Sequence, residues 1–326
     1  MKKYIKENYK FIISLILIII VLSIKFPYYI DAPGGITDMS EKIKINGYES
    51  KGSFNLAYVK EYRTTIPTLL ISLFNKDWKV IKQEDVLLDT EDYKTYELRD
   101  KILMEESISN SIYNAYKKAN KEIKIKSDKF LVTYITKESN TNLEVGDDII
   151  SINDININSK EDISNIVKNF NIGEKLNIKV LNNEKEYNRY AYVIEEDNNK
   201  LIGILISQIN EYETYPKVVV NVDKNESGSS GGLITTLSIY NSLVKEDITN
   251  GLTIVGTGTI DLNGNIGSIG GVEYKLKSAV KEKADIFLVP NDENYEEAIR
   301  IKKENNYDIE IKGVSTFDEV VEYLSK

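Results

Sequence analysis

A loop of serine and glycine, Ser227 to Gly232, directly precedes an apolar segment of the chain. A serine hydroxyl becomes a nucleophile when a neighbouring base takes its proton. The chain contains no histidine and no cysteine, so this base must be a lysine or a carboxylate. The composition therefore excludes Ser-His-Asp and Cys-His centres, together with histidine or thiolate metal sites. No metal or cofactor is predicted.

A candidate base lies downstream in "GGVEYK", where Lys275 follows the Gly270-Gly271 corner. The pattern predicts a helix from about Val272, which places Lys275 in its first turn. The positive end of the helix dipole disfavours the lysine charge, and partial burial lowers its pKa towards the range of a general base. Thr257 and Thr259, on the preceding strand, are candidates to orient the amine, although β-branched residues are also ordinary in strands.

The strand and helix predicted on either side of the loop place it where an oxyanion would be stabilised. "YPKVVVNVD" predicts a strand, and "LITTLSIYNSLV" predicts a helix with Leu233, Leu237, Tyr240 and Val244 on one face. Backbone N–H groups and the positive end of a helix dipole favour negative charge at such a turn. A serine beside glycines at a helix start is also a common N-cap, so the loop alone leaves both interpretations open.

Two binding functions are disfavoured by the sequence. The net charge of −9 and the pI near 5.0 argue against nucleic acid as a partner. In "GTGTIDLNGNIGSIGG" the Asn263-Gly264 dipeptide predicts a hairpin, and the glycines lack the spacing of a dinucleotide site. The chain contains no G-x-x-x-x-G-K-[ST] motif, so no ATP site is expected.

The N-terminus predicts a membrane anchor. Basic residues precede the uncharged run 11–24, and the stretch 11–30 has the ~20 residues of a transmembrane helix, with Lys25 snorkelling and Tyr28 and Tyr29 at the interface. The basic residues place the N-terminus in the cytoplasm and the remainder outside the cell membrane. A cleaved signal peptide and a buried helix are the alternatives, and no small-x-small cleavage pattern follows the run.

The rest of the chain divides into three predicted regions: 31–125, 126–199 and 200–326. The first combines strand-like segments with a helix that has its N-cap at Asp89 or Thr90. On that helix an apolar stripe is assigned to core packing, formed by Met104, Ile108, Ile112, Ala115 and Ala119. No chemistry is predicted in this first region.

The second region alternates strands with one helix capped by Ser159, followed by a hairpin around Asn182 and Asn183. Its run "LEVGDDIISINDININSKEDISNIVKNFNIGEKLNIKV" resembles a PDZ domain. The resemblance implies binding of extended peptides along a sheet edge. The segment "KSDKFLV" lacks the glycine of the usual carboxylate-binding loop, so recognition of free C-termini is not implied.

The serine loop and the lysine corner together resemble the proteolytic domain of Lon-type serine proteases. The motif G-P-S-A-G lies over Gly228, Ser229, Ser230, Gly231 and Gly232, which makes Ser230 the matching nucleophile within an oxyanion loop. The motif G-G-x-x-x-K makes Lys275 the matching dyad lysine. Ser229 replaces proline and Gly231 replaces alanine, which loosens the loop and leaves Ser229 as an alternative nucleophile.

The whole order of segments resembles the YlbL-like family of membrane-anchored PDZ proteases. It implies an α+β multidomain protein with an N-terminal transmembrane helix, a mixed α/β region carrying a PDZ domain, and a C-terminal Lon-type proteolytic domain. The expected function is ATP-independent cleavage of exported peptides or unfolded segments by a serine endopeptidase, with assembly into a homo-oligomer as a further implication. A non-catalytic, anchored PDZ scaffold is the alternative.

Overall fold

The computed structural model describes residues 2–326, with side chains from Glu7 onward. Met1 and the side chains of Lys2, Lys3 and Lys6, which belong to the predicted cytoplasmic tip, lie outside the described part. The helices are α1 (Lys2–Leu22), α2 (Met39–Lys42), α3 (Ile66–Ser72), α4 (Tyr93–Lys118), α5 (Lys160–Lys168), α6 (Gly232–Leu243), α7 (Val272–Lys281), α8 (Glu293–Asn305) and α9 (Phe317–Leu324), with a 3₁₀ turn at Gln83–Asp85.

The strands form two large sheets and three short pairs. They are β1 (Tyr28–Asp38), β2 (Ile43–Ile45), β3 (Ser53–Arg63), β4 (Lys79–Lys82), β5 (Glu122–Ile135), β6 (Asp148–Ile152), β7 (Ile155–Asn156), β8 (Lys175–Asn182), β9 (Lys185–Tyr192), β10 (Ile194–Glu196), β11 (Asn199–Leu201), β12 (Ile204–Tyr215), β13 (Val218–Val220), β14 (Thr253–Gly256), β15 (Thr259–Ile260), β16 (Ile266–Gly267), β17 (Ile286–Pro290) and β18 (Glu310–Val314).

The first large sheet has the strand order β18-β17-β14-β3-β1-β4. β14 runs parallel to both β3 and β17, while β1 runs antiparallel to β3 and β4. The sheet therefore joins residues 28–82 to residues 253–314. The predicted regions 31–125 and 200–326 therefore share one sheet. Local sequence patterns do not indicate which distant strands pair with each other.

Helices cover both faces of this sheet, whose central strands β14 and β17 contain few polar residues. Ile254 and Leu288 point to one face, where α4, α6 and α9 supply the buried partners. Val255 and Phe287 point to the other face, against α7 and α8. This alternation follows the period of two in a strand. The two cores fix the positions of α6 and α7, the helices that the sequence placed after the serine loop and the Gly-Gly corner.

Residues 122–215 contain a second unit with its own core. Its sheet follows the order β12-β5-β6-β8-β9, with β7 paired to β6, and α5 packs on it. The capping box of Ser159 and Asp162 starts α5, as the sequence predicts. β5 and β12 pair from Glu122 with Tyr215 to Ile135 with Ile204 and form one long antiparallel ribbon, which follows α4 and precedes β13 along the chain.

The helix predicted before this unit exists, and the C-terminal part of its apolar stripe packs in the core as predicted. α4 starts at an N-cap Asp92 rather than Asp89 or Thr90. Ala115 is buried in the first core, and Ile112 and Ala119 pack against that core, while Met104 and Ile108 are only half-buried. The helix also buries a polar face that was not predicted: Ser107, Ser109, Asn110, Ser111 and Asn114. These side chains are buried because each finds a hydrogen-bond partner in the adjacent elements.

The structure does not support the predicted membrane span at residues 11–30. α1 ends at Leu22, and Tyr28 already begins β1, where Tyr29 and Ile30 are buried rather than interfacial. Among residues 2–326, no helix of the structure is both long enough and apolar enough to cross a membrane. The apolar side chains of α1 from Phe11 to Leu22 are exposed, except that of Ile12, which is half-buried.

Candidate active site

The serine loop connects β13 to α6, as predicted. Each backbone carbonyl from Ser229 to Gly232 accepts a hydrogen bond from a side-chain hydroxyl. Ser107 Oγ on α4 donates to the Ser229 carbonyl at 2.9 Å, and Thr257 Oγ1 donates to the Ser230 carbonyl at 3.1 Å. The remaining two carbonyls accept from Thr235 Oγ1, Thr236 Oγ1 and Ser111 Oγ. These bonds direct the carbonyl groups of the loop towards α4, α6 and Thr257.

The amide side of the loop is left open. Within the described chain, the N–H groups of Ser229, Ser230 and Gly231 donate to no protein acceptor. They lie at the N-terminus of α6, where the helix dipole adds positive potential. Gly228 differs from the prediction, because its N–H donates to the carbonyl of Asp100 at 3.0 Å and is not available to an oxyanion.

The candidate lysine is buried in the first turn of α7. Lys275 is 4% exposed, and burial lowers the pKa of its amine to about 8. A buried ammonium loses the hydration that stabilises its charge, which is the direction the sequence predicts. Its Nζ donates to Thr257 Oγ1 at 3.1 Å. A lysine with this pKa is partly neutral near pH 8 and is able to accept a proton.

Thr257 joins the two candidate residues. Its hydroxyl donates to the Ser230 carbonyl and accepts from Lys275 Nζ, so the amine lies no more than two hydrogen-bond lengths from the serine backbone. In the part of the chain that is described, no hydrogen bond joins Lys275 Nζ to Ser230 Oγ. Thr259, the other predicted orienter, lies in β15 opposite Gly267 and makes no hydrogen bond to the lysine.

The glycine corner determines where α7 begins. Gly271 is the N-cap residue, with a left-handed backbone at φ 70° and ψ 35°. A Cβ at this position would lie 2.6 Å from Val59 Cγ2 of β3. Gly271 is therefore required both for its conformation and for the close approach of α7 to the sheet. This contact fixes the register in which Lys275 points towards Thr257.

Polar residues of α4 that were not predicted from the sequence support the site. Ser107 and Ser111 hold the carbonyls of the loop, and Asn110 Nδ2 donates to the Ile260 carbonyl at 3.0 Å. Asn114 Nδ2 donates to the Asp261 carbonyl of the adjoining hairpin at 2.8 Å. The available signal was a polar stripe at helical spacing beside the apolar stripe, since such a stripe has to find partners when it is buried.

A cavity of about 310 Å³ adjoins the loop. Its walls come from α4, from Ser229 and from the β15–β16 hairpin. The lining residues include Leu103, Glu106, Ser107, Thr259, Ile260 and Ile266. Of the three loop residues with free N–H groups, Ser229 is the one that lines this cavity.

Comparison with known proteins identifies the domain that holds these residues. Residues 213–325 match the family described as the Lon protease (S16) C-terminal proteolytic domain, so this domain is present in the chain. The match includes Ser230, Thr257 and Lys275. It does not include β1, β3, β4 and α4, which complete the sheet and hold the loop in the structure.

Several similar proteins are Lon proteases. The Lon protease of Rickettsia typhi is 25% identical over 314 residues, which cover 90% of this chain and 38% of that protein. The Lon protease of Campylobacter jejuni is 32% identical over 124 residues, covering 37% of this chain and 15% of that protein. Lon protease 2 of Bacillus subtilis is 37% identical over 97 residues, which cover 30% of this chain and 16% of that protein. The chain thus spans less than two fifths of these relatives. The matched domain and the relatives support serine endopeptidase activity.

One solved structure has limited similarity to part of the chain. The PDZ domain of an SdrC-like protein from Listeria monocytogenes is 17% identical, and the match covers 26% of this chain and 92% of that domain. Its TM-score of 0.23 carries no argument for a shared fold.

Proposed function

We propose that this protein is an ATP-independent serine endopeptidase in which Ser230 is the nucleophile and Lys275 the general base. The observation that carries the proposal is the hydrogen bond from the buried Lys275 amine to Thr257, whose hydroxyl also holds the Ser230 carbonyl. The match to the Lon proteolytic domain supports it independently.

The proposed reaction follows from this arrangement. Neutral Lys275 takes the proton from Ser230 Oγ, and the oxygen attacks the scissile carbonyl of the substrate. The free N–H groups of Ser230 and Gly231 receive the oxyanion. Lys275 then gives its proton to the leaving amine, and water hydrolyses the acyl-enzyme. Substrate binding has to bring Nζ and Oγ into hydrogen-bond contact, since such contacts often tighten only in the complex.

The proposal is tested with the full chain and an internally quenched, unstructured peptide. We expect cleavage by the wild type, loss of cleavage in Ser230→Ala and Lys275→Met, and retention in Ser229→Ala. Retention in Ser230→Ala with loss in Ser229→Ala would move the nucleophile by one residue. A folded wild type that cleaves no unstructured peptide would favour the alternative, a non-catalytic peptide-binding scaffold.

The substrates and their location are a further part of the proposal. We propose that the enzyme cleaves exported peptides or unfolded segments outside the cell membrane. The basic N-terminus and the exposed apolar side chains of α1 support this location. Exposure of the C-terminal domain to protease added outside intact cells tests it, and complete protection would contradict it.

Three other features are proposed from the sequence pattern. The unit at 126–199 is proposed to bind extended peptides as a PDZ-like domain, on the strength of its "LEVGDDIISIND" run. Independence from ATP is proposed because the chain contains no P-loop motif. Assembly into a homo-oligomer rests on the resemblance alone. Peptide titration, cleavage with and without Mg-ATP, and light scattering test these features in turn.

A further inference from the structure

Two neighbouring residues of α4 contact different parts of the molecule. The Glu106 carboxylate accepts hydrogen bonds from Ser207 Oγ at 2.8 Å and from the Gln208 N–H at 3.1 Å, both on β12. It also pairs with Lys160 Nζ at 2.9 Å, at the start of α5. Glu106 therefore binds both the ribbon and the helix of the second unit.

The next residue binds the candidate nucleophile loop. Ser107 is buried, and its hydroxyl donates to the Ser229 carbonyl at 2.9 Å. The loop packs tightly at this point, since a Cβ on Gly232 would lie 2.6 Å from Ser107 Oγ. A small shift of α4 would therefore be transmitted to the loop through both a hydrogen bond and direct packing.

The connection between the second unit and α4 is not limited to Glu106. Ser109 Oγ donates to the Asn210 carbonyl at 2.9 Å and accepts from the Asn210 N–H at 3.1 Å. β5 begins at Glu122, shortly after α4 ends at Lys118. The ribbon is thus attached to α4 by side-chain bonds along its length and by the chain itself at one end.

We propose that Ser107 is a positioning residue of the nucleophile loop and that Glu106 makes this positioning depend on the docking of the second unit. The proposal rests on the proposed role of Ser230 as nucleophile. Residues 106 and 107 are adjacent on one rigid helix, so the contact with β12 and α5 fixes where the Ser107 hydroxyl meets the loop. The second unit then influences cleavage without contacting the reacting atoms.

The test compares Ser107→Ala and Glu106→Ala with Glu105→Ala in the full chain. Glu105 is an exposed residue of α4 whose side chain makes no hydrogen bond or ion pair in the described part of the protein, so it is a matched control for Glu106. We expect kcat to fall about 10- to 100-fold in Ser107→Ala, with KM changed by less than about twofold, because a misplaced nucleophile affects the chemical step. Glu106→Ala is expected to lower kcat about 3- to 10-fold, and Glu105→Ala to behave as the wild type.

Hydrogen exchange provides a readout that does not need activity. In Ser107→Ala and Glu106→Ala the amides of Gly228 and Gly232, which donate to the carbonyls of Asp100 and Ser229, are expected to exchange faster, while those of the core strand β17 keep their wild-type rates. Wild-type kcat and exchange in Ser107→Ala would overturn the positioning role. A Glu106→Ala variant that matches Glu105→Ala in both measurements would overturn the dependence on the second unit. An inactive wild type with these exchange differences would count against the proposed function and not against the positioning.

Discussion

Lys275 Nζ donates a hydrogen bond to Thr257 Oγ1 at 3.1 Å inside the protein. The threonine proton is already directed to the Ser230 carbonyl, so the threonine oxygen accepts from the lysine whether the amine is charged or neutral. The lone pair of a neutral amine therefore points away from Thr257 and stays available for the serine proton. The threonine therefore positions the lysine amine and leaves its lone pair free to accept a proton.

Replacing the threonine hydroxyl is expected to slow cleavage with little effect on peptide binding. Thr257→Val keeps the volume of the side chain but removes its bonds to Lys275 and Ser230, so kcat should fall about 100-fold while KM changes little. Thr257→Ser keeps the hydroxyl and should retain most of the activity. Steady-state kinetics on a quenched peptide measures both effects, and equal losses in the two variants would contradict the role of the hydroxyl.

The pH dependence of cleavage follows from the lysine. Only neutral Lys275 accepts a proton, and its pKa is lowered to about 8 by burial. The cleavage rate should therefore fall about tenfold for each pH unit below 8 and level off above it. A pH profile of kcat/KM, which reports the free enzyme, on a peptide without titratable side chains measures this. A rate that increases as the pH falls would be incompatible with lysine as the base.

The buried lysine is expected to cost stability. Its folded pKa lies below the value of 10.5 for an unburied lysine, so the unfolded chain binds more protons between pH 8 and that value. Stability should therefore rise with pH across this window, and the full cost is present below it. At pH 7, Lys275→Met should raise the free energy of unfolding by about 3 kcal/mol.

A second methionine variant serves as the control for this measurement. Lys277 on the same helix pairs with Asp77 and Glu273, and the hydrogen bonds to these carboxylates raise its pKa against the opposing effect of burial. Lys277→Met should therefore not stabilise the protein. Urea unfolding monitored by circular dichroism gives both values, and a destabilised Lys275→Met variant would refute the argument.

The glycine corner provides a matched pair of backbone substitutions. Gly271→Ala places a Cβ in a left-handed conformation and 2.6 Å from Val59 Cγ2, so it should destabilise the protein by about 2 to 3 kcal/mol and displace Lys275. Gly270→Ala meets no atom within 4 Å and should be close to neutral. Thermal unfolding of the two variants measures the difference, and equal melting temperatures would disprove the requirement at Gly271.

Cutting the chain at residue 31 is expected to damage the fold. Tyr29 and Ile30 are buried in β1 between β3 and β4, so their removal exposes the core of the sheet. A chain that starts at residue 23 keeps β1 whole and is the control. Expression and circular dichroism of the two chains test this, and equal stability would show that β1 contributes little at this end.

Local patterns in the sequence specified the parts of the candidate site that follow each other along the chain. The absence of histidine and cysteine restricted the base, the glycine corner predicted the start of α7 at Val272, and the apolar periodicity predicted α6 after the serine loop. These features depend on residues close together in the sequence, so turn residues and helix periodicity are sufficient to predict them.

Only the tertiary structure showed which distant residues hold the site together. Thr257 and Thr259 were equivalent in the sequence, and packing of β14 beside β17 and α7 places only Thr257 at the lysine. Ser107 lies 122 positions before Ser229, and nothing in its local pattern links the two. Such contacts depend on strand order and helix docking, which are set by the burial of whole elements rather than by any short stretch of sequence.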